Sequence, residues 1–475
     1  MSLRPDNTKN DMSKRISSSS IYSNRGSLST NLNQYLDFER DSSVATYELY
    51  PGTETDNYDF TVERHSPLLY NLFESTAYLI KGFFGAGILN VHVAYMFAGL
   101  WTSLVVTFVM GGIICRCMML LVKSAHKMYV LLRVPRLTYA DLVEAVVAIG
   151  PLKKLRNYSK TLRYFVDICL FVQMCGTCCI YEIIIATTLK KVLEAVSPTL
   201  SHQELHLRIY VMITMVPLIA VCLIRNMRYL APFSLLADLF IGICMAIALY
   251  YGMSSAVPIR ERPAWKNYGG LIRGSSIILY ALSGITATLP VENNMERPKL
   301  FFIVLQYGMS VVLCLVTVTG FFGYWGFGEN CQGPITVHMG VSEVFPLILQ
   351  FKLILMLCVT FGVKFWVPFR LVWYYLGKLH NRGRKLWERI YMMFLIILIT
   401  GITTLVPNLT SVMVFMGSFL FPLTAIIFPA LIDSFAFWNE YQKERFRWKL
   451  TINIMSVMIA FTIVGSAFCL MFIKV

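Results

Sequence analysis

The chain has 475 residues, of which 56% are hydrophobic and only 15% charged, with a mean hydropathy of +0.60. An ordinary soluble domain carries about 25% charged residues, and a soluble chain of this length would divide into domains with polar surfaces. Recurring apolar runs of roughly 20 residues, each able to cross about 30 Å of hydrocarbon, point instead to an all-α polytopic membrane protein in a lipid bilayer. The formal net charge of +15 does not signal a nucleic-acid partner, because the basic residues collect in alternate loops in the positive-inside pattern.

In chain order, residues 1–70 are polar and Ser-rich, with the run Ser17 to Ser20 and no secretory leader. They read as a disordered cytoplasmic tail, leaving residues 71–475 as the transmembrane domain. Eleven spans follow, over residues 74–97, 99–122, 162–188, 208–224, 229–251, 272–291, 300–324, 345–376, 388–407, 411–437 and 450–473. The loops after the even-numbered spans hold most of the basic residues: Lys123 to Arg163, Arg225 and Arg228, Arg297 and Lys299, Lys378 to Arg389, and Lys443 to Lys449. This pattern predicts a cytoplasmic N-terminus, and the odd span count places Val475 outside the cell or in a lumen. Plasma membrane and endolysosomal membrane both fit. In the first basic loop, Thr138 to Asp141 resembles a capping box. The apolar run Leu142 to Ile149 then ends at Gly150-Pro151, which predicts a short helix at the inner face.

Twelve cysteines do not make a disulfide framework, since eleven fall inside spans and Cys331 has no loop partner in view. Cys175 and Cys178 match C-x-x-C, but they lie mid-span, where small residues let helices pack closely.

Span one contains Lys81-Gly82-Phe83-Phe84-Gly85-Ala86-Gly87, three glycines in six residues. Glycine inside a helix costs about 1 kcal/mol relative to alanine, so this stretch reads either as close helix packing or as an unwound segment facing a cavity. Unwound backbone survives in hydrocarbon only where protein or water satisfies it. Transporters built from inverted repeats carry broken helices at matching positions of two halves. Five spans later, span six reads Ser283-Gly284-Ile285-Thr286-Ala287-Thr288 and then Pro290. The pairing predicts a five-plus-five inverted repeat with broken spans one and six, plus one extra helix. Free N–H groups and helix N-termini at such breaks suit a carboxylate, and free carbonyls suit an ammonium group. The expected substrate site is therefore Gly82, Phe83, Gly85, Ala86, Gly87, Ser283, Gly284 and Thr286. No activated nucleophile, metal cage or phosphate loop is visible, so neither an enzyme nor a cofactor is expected.

These residues also resemble the proton-coupled amino acid transporters of the amino acid/auxin permease group, over about residues 70–475. The anchors are Lys81-Gly82 with Gly85-x-Gly87-x-Leu89, Leu289-Pro-Val-Glu-Asn293, Gly323-Tyr-Trp-Gly-Phe-Gly328 with Ile335-Thr336, Phe365-Trp-Val-Pro368, Leu405-Val-Pro407 and Phe428-Pro-Ala-Leu431. The resemblance implies symport of small neutral amino acids with protons. It also implies departures. Tyr78 stands where the family has a histidine implicated in coupling, Phe83 where it has Asn, Val91-His92 where it has Leu-Pro, Ser283 where it often has Glu, and Lys364 where it often has Gln.

Coupling candidates are therefore Tyr78, His92, Lys364 and Asp238. Tyrosine, with an ordinary pKa near ~10, carries protons poorly at neutral pH, whereas histidine titrates near ~6.5. His92 lies about 21 Å of helix beyond Tyr78 and cannot replace it in place. Lys364 is expected either near the span-one break as a fixed charge or snorkelling to the inner interface. Asp167, Glu182 and Asp238 could pair with Lys81 or Lys364, relay a proton or bond between helices. Glu292 reads as gate or scaffold. The leading function is proton-coupled symport of small neutral amino acids. The alternatives are an uncoupled facilitator and an amino-acid-sensing receptor with signalling partners at its cytoplasmic face.

Overall fold

The computed structural model describes residues 59–61, 63–64, 69–196, 206–224, 227–254, 256–331, 333–338, 344–379, 383–442 and 447–472. The Ser-rich leader and the loop residues Arg225, Arg382, Lys443 and Arg445 lie outside these. The first span is two helices, α1 (Leu72–Phe83) and α2 (Ala86–Ala98), bent by 54° at Phe84-Gly85. Then come α3 (Leu100–Leu132), the short α4 (Tyr139–Ile149), α5 (Ser159–Val196), α6 (Leu207–Cys222) and α7 (Met227–Ser254). The sixth span is again broken: α8 (Tyr268–Ala281), a 3-10 turn over Gly284–Ala287, and α9 (Thr288–Asn293). The second half continues with α10 (Phe301–Phe327), α11 (Val344–Leu376), α12 (Arg384–Leu405), α13 (Leu409–Phe415) running through π-turns into α14 (Phe428–Ala436), and α15 (Arg447–Phe472).

Among the described residues, nine helical stretches are long and apolar enough to cross a bilayer and the bent α1–α2 pair makes a tenth; α6, expected as one of eleven spans, is apolar but only 16 residues long. The broken spans stand at the centre. In the most apolar stretch of the sixth span 78% of residues are buried, against 28% for α15, which lies at the edge.

Local chemistry sets the element ends. The Glu74 carboxylate accepts the Asn71 backbone N–H at 3.1 Å at the start of α1. Thr138 caps α4 by accepting the Asp141 N–H at 3.2 Å, as the capping-box reading expects. That helix is sunk into the bundle rather than laid on its face: Asp141 and Glu144 are buried and held by Arg163 of α5 at 2.8 and 3.0 Å. Helix α3 overruns its expected end at residue 122 because Met128, Tyr129 and Leu132 continue its buried stripe, and Arg133 stops it in a left-handed conformation (φ 51°). Gly99, at φ +100°, makes the turn between α2 and α3, where a Cβ would stand 2.6 Å from the Ala264 carbonyl oxygen. All twelve cysteines are free thiols. Cys331 is buried in its loop, and burial pushes its thiol up to about 12.

Part of the segment expected to be a free tail is packed onto one end of the bundle. Arg64 donates from Nη2 to Glu292 Oε1 (3.0 Å), from Nη1 to the Glu292 carbonyl (2.9 Å) and from Nε to the Pro135 carbonyl (2.9 Å). His126 Nε2 lies 2.9 Å from Glu292 Oε1, and the Tyr129 hydroxyl lies 3.0 Å from Oε2. Phe60 is buried against the rings of His126 and Tyr129, with the Arg64 guanidinium over its face at 5.1 Å. A buried carboxylate is tolerable because each of its oxygens is met. Arg64→Ala leaves that charge without its fully buried cation and should destabilise the fold by about 3–5 kcal/mol. By contrast, Lys299→Ala, which removes a solvent-exposed ion pair to Asp59 at 3.8 Å, should leave stability unchanged. Thermal melting in detergent checks both, and equal shifts would contradict the account.

Candidate functional site

The two breaks face each other, and the glycines are the reason they can. A Cβ on Gly82 would stand 2.6 Å from the Ala287 Cβ, and one on Gly87 would stand 2.6 Å from the Ala281 Cα. A Cβ on Gly284 would run into the Phe83 ring, and one on Gly85 into the Tyr181 hydroxyl. The sequence pointed to unwinding around a cavity rather than to packing; the structure has both at once, because the unwound segments are themselves packed together. Phe83 is buried with its ring over Gly284, so it fills the space between the breaks in this conformation.

The backbone opened by the first break is partly met from α5. The Ala86 N–H, first of α2, donates to the Tyr181 hydroxyl at 3.3 Å, and the Asn90 side-chain amide donates to the Ala86 carbonyl at 2.8 Å. The Asn90 side-chain oxygen and the Thr288 hydroxyl are buried without a hydrogen-bond partner. Such groups are costly unless a ligand or a change of conformation satisfies them. Ser283 and Thr286 lie at the start of and within the 3-10 turn that bridges α8 and α9.

A charged cluster flanks the first break. Lys81 Nζ is 3.9 Å from Asp238 Oδ2 of α7, and both side chains are largely shielded from solvent. Lys364 of α11, half-buried, acts electrostatically on Asp238 and Lys81. The Phe84 ring lies near Gly242, one turn beyond Asp238. Three elements, α1, α7 and α11, thus bring two cations and one anion together beside the unwound segment.

The other sequence candidates lie elsewhere. Tyr78 stacks on Tyr70 at 4.4 Å. His92 is fully buried beyond the break, edge-on to His338 at 5.9 Å, with neither ring nitrogen in a well-formed hydrogen bond. Glu182 does not reach either lysine; its carboxylate accepts the Thr400 hydroxyl at 2.6 Å. Asp167 accepts from Tyr375 at 2.7 Å. Glu292 sits in the buried cluster with Arg64. Sequence reasoning missed Tyr181, whose mid-span position carries no local signal. It also missed Arg64, hidden in a polar leader, and the contact of Ser276 with Ser418 (2.8 Å) at the first π-turn, for which Gly417 was the available sign.

Residues 71–471 match the family described as transmembrane amino acid transporter protein. The chain belongs to that family. It is 29% identical over 385 residues to the proton-coupled amino acid transporter-like protein pathetic of Drosophila melanogaster, covering 80% of each chain. It is 25% identical over 372 residues to the probable amino acid transporter skat-1 of Caenorhabditis elegans, covering 77% of this chain and 80% of that one. In overall shape it resembles a manganese transporter of Eremococcus coleocola, with a TM-score of 0.48 and 12% identity over 91% of this chain and 92% of that one. Family membership makes the protein a multi-pass membrane transporter, not an enzyme.

In this amino acid transporter the contact of Phe83 with Gly284 is the tightest seam between the breaks. Gly284→Ala should cut expression-normalised amino acid uptake at least fivefold, and adding Phe83→Leu should restore part of it by opening room for the new methyl group. Uptake unchanged in Gly284→Ala, or no recovery in the double variant, would show that the seam does not limit transport.

Proposed function

We propose that the protein is a proton-coupled symporter of small neutral amino acids, with the substrate held between the two breaks. The N-terminus of α2, whose Ala86 N–H rests here on the Tyr181 hydroxyl, suits the substrate carboxylate once that contact opens, and the second lone pairs of the carbonyls in the turn at Ser283 and Gly284 suit its ammonium group. The surrounding side chains, Phe83, Ala281, Ala287 and Tyr181, offer no fixed charge to a substrate side chain, and the close approach of the helices leaves room only for a short one. The name of the Drosophila relative, a proton-coupled amino acid transporter-like protein, supports the same reading.

The observation that carries the coupling is the 3.9 Å ion pair between Lys81 and Asp238 next to the first break, with Lys364 beside it. An ion pair shielded from water is strong only while both partners are charged. Ionised Asp238 ties α1 to α7. A proton on Asp238 removes the tie and leaves two neighbouring ammonium groups to repel each other, so α1 swings away and opens its end of the bundle. Proton binding and helix motion are thereby one event. This assigns coupling to Asp238 with Lys81 and Lys364, and not to His92, which is packed against Gly323 away from the cluster. Phe60 and Arg64, seated on the Glu292 cluster, keep the same end closed and serve as its gate. We place that end in the cytoplasm, where the basic loops belong, in either the plasma membrane or an endolysosomal membrane, with the C-terminus on the far side.

Uptake of labelled glycine, alanine and proline into proteoliposomes, with and without an inward proton gradient, tests the reading. Gradient-stimulated uptake is expected, and Asp238→Asn should abolish the stimulation while preserving exchange of internal for external substrate. Uptake indifferent to the gradient would make the protein a facilitator. Stimulation surviving in Asp238→Asn would move the coupling group elsewhere.

A further inference from the structure

At the end of the bundle opposite Arg64, a cavity of about 810 Å³ opens between α2, α5, α8, α13 and α15. It does not include the breaks: Val93, on its wall, is six residues and about 9 Å of helix beyond Gly87. Its size falls within the range of small-molecule pockets, roughly 300–1,000 Å³, and exceeds what one small amino acid needs. The walls are mainly apolar, with Met96, Phe97, Leu207, Ile272, Phe415 and Phe419 on several sides. Arg273 is the single charged side chain among the lining residues, and no acidic residue lines the cavity. Arg273 is solvent-exposed and pairs with no carboxylate among the described residues; its guanidinium lies only over the Phe97 ring, at 5.9 Å. An arginine at the open edge of a mainly apolar chamber is a receptor half built. Its planar fork matches a carboxylate with two parallel hydrogen bonds, while the walls reward an aliphatic or aromatic body. A body of several carbons fills a mainly apolar space of this size better than one small amino acid does. A single positive charge also balances a monocarboxylate and leaves a phosphate dianion uncompensated.

We propose that this cavity is a binding site for amphiphilic monocarboxylates, molecules with one carboxylate and an apolar chain, and that occupancy inhibits transport. The inhibition follows from the walls. Val93, Met96 and Phe97 ride on the broken first span and Ile272 and Arg273 on the broken sixth, whereas Ile183 and Thr187 belong to α5 and Val414 and Phe415 to α13. Alternating access moves the broken-helix group against its scaffold. A molecule wedged between the two groups, with its head on Arg273, prevents them from closing together.

The test uses labelled decanoate with the purified full-length protein. Saturable binding is expected, displaced by unlabelled decanoate but not by decanamide, which has the same chain and no charge. Arg273→Gln should weaken binding at least tenfold, Arg273→Lys less, and Arg260→Gln, outside the cavity, not at all. In proteoliposomes decanoate should inhibit amino acid uptake, and Arg273→Gln should relieve that inhibition. Equal displacement by decanamide, undiminished binding in Arg273→Gln, or displacement by phosphatidate where decanoate fails would overturn the proposal. The decanamide arm uses only the native protein, so it stands even where a variant does not fold. Because binding is read without transport, an absence of uptake would refute the proposed function and not this site.

Discussion

Backbone polar groups cannot be left bare in hydrocarbon, and the architecture follows from that constraint. A continuous helix satisfies its own backbone; a broken one needs partners. Here each break serves as the other's wall. Gly82 against Ala287, Gly87 against Ala281 and Gly284 under Phe83 bring the backbones of the two broken spans into direct contact. Tyr181 reaches in from α5 to meet the Ala86 N–H. The same closeness accounts for the burial of the sixth span at the centre of the bundle, and for the outer helices that shield it. A site that binds both ends of an amino acid with backbone groups needs this arrangement, since only glycine lets main chains approach so nearly.

Charge is distributed with equal economy. Away from the breaks, the buried acids among the described residues are met by partners suited to their place. Glu292 is saturated by Arg64, His126 and Tyr129. Arg163 holds Asp141 and Glu144 together, and Glu182 and Asp167 each accept a hydroxyl. The cluster beside the first break differs, with two lysines around one aspartate and a contact of 3.9 Å that is close without being a tight hydrogen bond. Groups held that loosely in a low-dielectric setting are sensitive to the gain or loss of a single proton. The far cavity is the reverse case, an arginine waiting in an apolar chamber for its anion. Both imbalances lie on or beside the two broken spans.

Much of this was legible in the sequence, and the reasons are physical. Span length and hydropathy report a bilayer directly, so the polytopic helical architecture and the order of its long helices could be read. Paired glycine and proline interruptions five spans apart reported the two breaks, and Thr138 with Gly150-Pro151 reported α4. What stayed hidden depends on contacts between distant residues. Nothing near Arg64 says that it will find Glu292, 228 residues away. The joint role of Lys81, Asp238 and Lys364 appears only when α1, α7 and α11 are packed side by side. Periodicity also could not say that the glycines at the breaks would touch one another, because packing and unwinding leave the same composition behind.

The central claim is that an amino acid is held by the backbone of the two breaks, with Phe83 as the side chain that must give way. A structure of the protein with alanine bound tests this most directly. The account predicts density between residues 84–87 and 282–286, with the substrate carboxylate on N–H groups at the start of α2 and the Phe83 ring lifted off Gly284. Alanine bound elsewhere while Phe83 remains seated on Gly284 would contradict it.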